Sequence, residues 1–458
     1  ALSFLKQIII IMVVNTIFKL INKAINTIVR KKHINIVVED IMKQIIIEGQ
    51  HRLKGTIRIC GAKNSAVALL PAAILCDEEV KIDNVPSISD IDALSEILEY
   101  LGAKVTRQDE LVTIDSSTIV NKEIPEEKAK KLRASYYFMG ALLGKYKKVE
   151  IYFPGGCSIG ARPINLHLKG FEALGAKITE TKNKFTIEAK ELIGNRIYLD
   201  IASVGATINI MFAAVKAKGI TTIENAAKEP EIVNIATFLN NMGARIIGAG
   251  TSTITITGVE KLGKAFTEVI PDRIEAGTYI IAGALIGDNL KIDNVIPSHI
   301  ESLTSKLQEM NVKLEINSDS VVVSSTPNLC SSSIKTLGYP GFPTDLQQPI
   351  TALFTQASGT SIVEETIYEN RFLNVEYLNN MGADIKIDCN KLKINGPTKL
   401  IGKEVIATDL RAGACLILAG LIAEGTTVVK EVEHILRGYD NIVGKLNNVG
   451  AKLRIEEY

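Results

Sequence analysis

The chain has 458 residues, 46% of them apolar, which is enough for a sizeable core divided over two or three domains. Lys plus Arg number 52 and Asp plus Glu 51, a net charge of +1, so no global field favours nucleic acid or an anionic membrane. Any anionic ligand must therefore be met by locally placed cations. Six cysteines without a CxxC pair give no disulfide framework, and His33, His51, His167, His299 and His434 are too scattered for a metal motif. The cysteines read as reduced, mostly buried thiols of a cytoplasmic protein.

The first 41 residues differ from the rest. Residues 8–14 are wholly apolar, but Lys6 precedes them and Asn15 and Lys19 follow. The run is far shorter than the roughly 20 residues that span a bilayer, and no small-residue cleavage site follows it. Residues 1–41 read as an extension outside the fold, with Met42 the natural start. The alternative is a basic amphipathic helix making a weak membrane contact through Lys19, Lys23, Arg30, Lys31 and Lys32.

From about residue 55 onward one unit repeats. A short phrase recurs as YLGAKV, ALGAKI, NMGARI, EMNVKL, NMGADI and NVGAKL, its third residue at 102, 175, 243, 311, 382 and 450, every 68–73 residues. Before each phrase lies a helical pattern, as at 91–101 with apolar residues at 91, 94, 97, 98 and 101. The glycine marks a left-handed helix end. After it come a strand, a polar turn and a second strand, as in KLEINSDSVVVSS at 313–325. A second helix follows, apolar on nearly all sides, as at 66–75, 206–217, 276–286 and 412–425. Such a helix belongs inside a domain. Six units divide naturally into two bodies of three, with a boundary near Pro271.

The loops differ where the scaffold repeats. Before the phrase helices stand NVPSISD, PGGCSIGARP, NAAKEPE, NVIPSHI, ENRF and HILRGYD; before the buried helices stand GAKNS, RAS, PDRIEAG, PTDLQQ and DLRAG. Taken singly, Arg133 reads as a surface ion pair, and Asp345 and Asp409 as helix N-caps. Taken together, Lys63, Arg133, Arg162, Arg371, Arg411 and Arg437 all stand at loop-to-helix junctions, where they suit a doubly anionic ligand. Cys157 lies among glycines, five positions before Arg162, a setting that lowers a thiol pKa.

These loops closely resemble the enolpyruvyl transferase family, in particular its branch acting on UDP-N-acetylglucosamine. The matching runs are LKGTIRICGAKNS, KLRAS, PGGCSIGARPINLH, NAAKEPEIVNIATFLNNMGARIIGAGT, PDRIEAGTY, YPGFPTDLQQP, ENRF, DLRAGA and HILRGYD, spread over 42–458. The resemblance implies an α/β (α+β) fold of two inverse α/β barrel domains, each of three repeats, with the active site in the interdomain cleft. The domains would be 63–271 and 42–62 plus 272–458. It implies transfer of the enolpyruvyl group of phosphoenolpyruvate to the 3-hydroxyl of UDP-N-acetylglucosamine with release of phosphate, the first committed step of peptidoglycan precursor synthesis. No metal or organic cofactor is implied.

The resemblance also implies roles. Lys63, Arg162 and Arg437 would bind phosphoenolpyruvate, with Arg371 and Arg411 supporting the cleft and Arg133 near the nucleotide phosphates. Asn64 would orient the sugar, and Pro163, Ile164, Asn165 and Leu166 would hold the uracil. Asp345 would be the general base at the sugar hydroxyl, and Cys157 would protonate the enolpyruvyl methylene. Asp409 would orient Arg411, Asp90 and Ile367 would complete the substrate contacts, and Glu229 with Glu231 would be structural. Three positions depart from the family pattern. Asn165 stands for Asp, Leu436 for an acidic neighbour of Arg437 that it would free from an ion pair, and Gly413 for Ser, as a neutral change. Two alternatives remain. A 5-enolpyruvylshikimate-3-phosphate synthase would not carry the Cys loop, and a non-catalytic nucleotide-sugar-binding paralogue would bind substrate without releasing phosphate.

Overall fold

The computed structural model describes residues 42–155 and 164–458; the expectations for 1–41 and for Cys157, Arg162 and Pro163 lie outside them. Each repeat builds one small sheet, one outer helix and one inner helix. Among the described residues there are six sheets, five of four strands and one of three. The sheet Ser333–Lys335, Gly359–Glu364, Lys391–Gly396, Asp384–Asp388 shows the pattern: one parallel pair, then an antiparallel pair closed by a hairpin. Leu392 and Ile394 face the core while their neighbours face water, the period-two alternation of a half-buried strand.

The six outer helices are Ser89–Leu101, Asn165–Ala173, Pro230–Asn241, Glu301–Glu309, Asn374–Asn380 and Ile442–Asn448. The repeated phrase follows each, and its third residue always has a positive φ: Gly102, Gly175, Gly243, Gly382 and Gly450 between 93° and 112°, and Asn311 at 63°. The left-handed turn drops the chain from helix to strand, and Asn is the side chain that tolerates it best after glycine.

The six inner helices are Lys63–Ala72, Tyr137–Tyr146, Val204–Ala214, Arg273–Ile286, Gln347–Phe354 and Leu410–Ile422. They are buried on every side, and they approach closely: a Cβ on Gly140 would collide with the backbone of Asn209 in the neighbouring inner helix. Four begin earlier than the apolar runs indicated, at Lys63, Val204, Arg273 and Leu410; at Lys63, Arg273 and Leu410 the reason is a charged residue in the first turn. Cations there oppose the helix dipole. The carboxylates of Asp272 and Asp409 offset this by capping Ile274 and Glu275, and Arg411 and Ala412.

Residues Lys43–Glu456 form one compact unit with two hydrophobic cores. One core draws on 62–269; the other draws on 274–453 together with 45–59. The opening strands therefore belong with the end of the chain. Lys43–Glu48 pairs antiparallel with Thr426–Lys430, and Leu53–Arg58 pairs parallel with Gly287–Asp293. The two passages between cores run side by side at the Gly61–Pro271 bridge. There Ala62 N–H donates to the Ile270 carbonyl at 2.7 Å and Asp272 N–H to the Cys60 carbonyl at 2.9 Å.

The thiols are less uniformly buried than expected. Cys76 and Cys415 are buried and Cys60 is half-buried, but Cys330 and Cys389 are exposed. Cys389 occupies a hairpin turn with φ 53°.

Candidate active site

A cavity of about 660 Å³ lies between the two cores. The loops that open the inner helices and precede the outer ones line it, so the repeat brings together residues far apart in sequence. Lys63, Asn64, Asp90, Arg133, Asn165, Leu166, Asp345, Ile367, Arg371, Asp409, Arg411 and Arg437 all face it. Ile164 is at the N-cap of the helix starting at Asn165 and is not among the lining residues.

At one wall Asp90 joins the two cores. Its Oδ2 lies 2.9 Å from Lys63 Nζ and its Oδ1 accepts from Arg437 Nε at 2.9 Å. Burial works to raise the Asp90 carboxyl, but Lys63 and Arg437 together hold it below its usual range. Burial pushes the Lys63 ammonium down, with Asp90 opposing. Arg437 is thus paired across the cleft, whatever Leu436 withholds; Leu436 packs half-buried against the second core.

At the facing wall Asp345 sits in the tight turn Thr344–Leu346, not at an N-cap. Its Oδ1 accepts from Arg371 Nη2 at 2.8 Å and its Oδ2 from Arg411 Nη2 at 3.1 Å. Burial alone would raise this carboxyl; the guanidinium groups of Arg411 and Arg371 outweigh it and hold the group well below the usual carboxylate range. Arg371 and Arg411 are each only 3% exposed. Arg411 also packs over the Tyr439 ring, and Arg371 Nη1 donates to Thr344 Oγ1 at 3.1 Å. Asp409 holds the backbone of Arg411 rather than its guanidinium, and its Oδ2 accepts from Gln348 Nε2 at 3.2 Å.

The third region is aromatic and nearly uncharged. Arg133 lies over the Tyr136 ring, which meets His167 edge-on at 4.9 Å between centroids. Asn209 Oδ1 accepts from Gly140 N–H, which orients the amide so that its Nδ2 donates to His167 Nδ1 at 2.9 Å. His167 is therefore a neutral ring with its proton on Nε2. Burial, then Arg133, push it down to about 3.

A fourth group lies where the passages between cores meet the cavity. Arg273 Nε pairs with Glu231 Oε1 at 3.2 Å and stacks on Tyr339, whose N–H donates to Glu229 Oε1 at 3.4 Å. Sequence reading assigned Glu229 and Glu231 here but missed Arg273 and Tyr339, and elsewhere missed Tyr136, His167, Thr344 and the loop 200–205. That loop opens the third inner helix, the same place as the five loops singled out, and the repeat period alone would have found it. Tyr136 and His167 carry no charge pattern and gave no signal.

The family model for EPSP synthase (3-phosphoshikimate 1-carboxyvinyltransferase) matches residues 47–446. The chain belongs to the enolpyruvyl transferase family. It is 54% identical over 412 residues to UDP-N-acetylglucosamine 1-carboxyvinyltransferase 2 of Geobacillus kaustophilus, covering 90% of this chain and 96% of that one. It is 53% identical over 410 residues to the Listeria monocytogenes protein of that name, covering 90% and 97%. Among solved enolpyruvyl transferases, NikO from Streptomyces tendae superimposes with a TM-score of 0.83 at 26% identity, over 91% of this chain and all of that one. EPSP synthase from Acinetobacter baumannii follows at 0.71 and 17%, over 91% of this chain and all of that one, a likeness of fold alone. The family fold is the two-domain α/β architecture described above.

Proposed function

We propose that this chain transfers the enolpyruvyl group of phosphoenolpyruvate to the 3-hydroxyl of UDP-N-acetylglucosamine, releasing phosphate. The observation that carries this reading is the convergence of Lys63, Arg371, Arg411 and Arg437 on one cavity, with Asp345 facing into it, in a chain so similar to the named transferases. A phosphate and a carboxylate on one small molecule need several cations, both to bind and to stabilise charge on the tetrahedral intermediate.

In the addition step the sugar oxygen bonds to C2 of phosphoenolpyruvate. The hydroxyl proton passes to Asp345, and Cys157 gives its thiol proton to C3, so C2 becomes electrophilic as it is attacked. In the elimination step C3 returns a proton to the Cys157 thiolate, the C2–O bond to phosphate breaks, and phosphate leaves with the proton held on Asp345. Lys63, Arg162 and Arg437 bind the donor anion; Asn64 orients the sugar. Arg133, Pro163, Ile164, Asn165 and Leu166 hold the nucleotide at the aromatic end, and Asp90 and Ile367 border the sugar. The bodies 63–271 and 42–62 plus 272–458 close on the pair and exclude water. The reaction belongs, in this reading, to the cytoplasm, a compartment that keeps thiols reduced. No described helix is long and apolar enough to cross a membrane.

The test is phosphate release from phosphoenolpyruvate with and without UDP-N-acetylglucosamine, for wild type and Cys157→Ala. Release that needs the sugar nucleotide and falls at least about 100-fold in the variant supports the reading. Preincubation with the epoxide fosfomycin should abolish wild-type release by alkylating Cys157. Release with shikimate 3-phosphate instead, or none at all, would reject it.

A further inference from the structure

Asp345 presents a conflict between position and state. Its side chain is about a quarter exposed, at 26%, and faces the cavity, where a base for the acceptor hydroxyl belongs. Yet each of its oxygens already accepts a guanidinium N–H, at 2.8 and 3.1 Å. A carboxylate held by two cations has little tendency to take a proton from an alcohol. The two arginines are themselves incompletely satisfied. They share this one carboxylate, and the buried Arg371 Nε–H has no acceptor among the described residues. A buried unpaired guanidinium N–H beside a cavity is a seat left for an anion.

We infer that Arg371 and Arg411 keep Asp345 silent as a base until the donor anion takes a share of their charge. Resting on the enolpyruvyl transfer proposed above, this makes donor binding the switch that turns on the acceptor's base. With one anionic group of the donor on Lys63, Arg162 and Arg437, its second, beside Arg371 and Arg411, draws their charge off Asp345 and adds a negative charge next to it; both changes raise its proton affinity. The hydroxyl proton can then move to an Asp345 oxygen as the new C–O bond forms. With the sugar nucleotide alone the base stays masked. The other charged groups around the clamp are Lys63, Arg273 and Asp272, which act through space, Asp409, which accepts from the Arg411 backbone N–H, and Glu365, which accepts from Thr344 Oγ1 at 2.8 Å. Among the described residues it is Arg371 and Arg411 that hydrogen-bond the Asp345 oxygens, so they set the clamp.

Isotope-edited infrared difference spectra, wild type minus Asp345→Asn, report the protonated Asp345 carboxyl across the acid range in which the enzyme stays folded. The enzyme is saturated with UDP-N-acetylglucosamine, alone or with 2-phosphoglycolate, an unreactive phosphate–carboxylate anion. The midpoint is expected to rise by about one pH unit or more when phosphoglycolate binds. In Arg371→Gln the midpoint should already be raised without it, and the further rise should shrink; Arg371→Lys serves if the glutamine variant does not fold. An unchanged midpoint, or no protonated band in either state, overturns the inference. If the enzyme turns over while the midpoint stays fixed, only this inference fails; if it never releases phosphate, the functional reading fails.

Discussion

His167 shows how one side chain fixes a local state. Its Nδ1 is committed as an acceptor from Asn209, and Asn209 is in turn fixed by Gly140 N–H. Protonation would set two N–H groups against each other in a buried site 5% exposed. The folded pKa, pushed down to about 3, lies below the ordinary 6.5 of the unfolded chain. The unfolded state therefore binds the extra proton, and stability is full above about pH 6.5 and falls as pH drops toward 3. Urea midpoints between about pH 7 and pH 5 should show wild type losing roughly 1 kcal/mol more per pH unit than His167→Gln. Parallel slopes would reject the assignment. None of this was legible beforehand, because the partners stand at positions 140 and 209 and no spacing rule links them to a lone histidine. By contrast, Lys63, Asp345 and Arg411 were legible, because charged residues abutting wholly apolar helices have few reasons to be there, and Arg371 and Arg437 because they stand in loops that vary where the scaffold repeats. What sequence could not tell is that Asp345 is clamped and Arg437 paired, since Arg411 and Asp90 reach them from other repeats and Arg371 from across its own.

The helix ends carry the repeat. Five glycines and Asn311 hold the same left-handed position, and this was readable because that conformation restricts residue choice so sharply. Asn311 adds contacts of its own, donating from Nδ2 to the Asn328 carbonyl at 3.4 Å and to Cys330 Sγ at 3.0 Å. Asn311→Ala should cost about 1–2 kcal/mol, and Asn311→Gly less, read as the drop in urea midpoint at constant m. Equal loss in both would show that the side-chain contacts, not the backbone, set the cost. Helix starts were less legible than ends, because charged residues in the first turns at Lys63, Arg273 and Leu410 interrupt the apolar pattern without breaking the helix. Gly413 is not a neutral replacement. A Cβ there would strike Ile435, so the space a Ser side chain would need is filled.

At the scale of the molecule, Asp90 and Arg437 bind one core to the other across 347 positions of sequence. Removing the carboxylate leaves Lys63 and Arg437 together without their shared anion. Asp90→Asn should cost about 3 kcal/mol, at the low end for a buried pair because Arg437 is a quarter exposed, at 25%. Inorganic phosphate should then raise the variant's unfolding midpoint more than the wild type's, by filling the vacated anion position. Equal shifts would mean that the cations do not form an anion seat. The two-body architecture was legible from the count of repeats, but the meeting of their loops at one cavity was not, since periodicity fixes neighbours along the chain and says nothing of which ends face each other.

The assignment of residues 45–59 to the second core has a consequence for synthesis. Strands Lys43–Glu48 and Leu53–Arg58 leave the ribosome before any of their partners exist. The core drawn from 62–269 can condense while the rest is still being made, but the early strands must wait, unpaired, for Gly287–Asp293, then for Thr426–Lys430 and Lys452–Glu457 on either side of Lys43–Glu48. A loop of more than 370 residues closes when Lys43–Glu48 meets Thr426–Lys430. The second core is thus finished by an early and a late segment of the chain together, and it is the half in which folding is slowest and an exposed strand edge lasts longest.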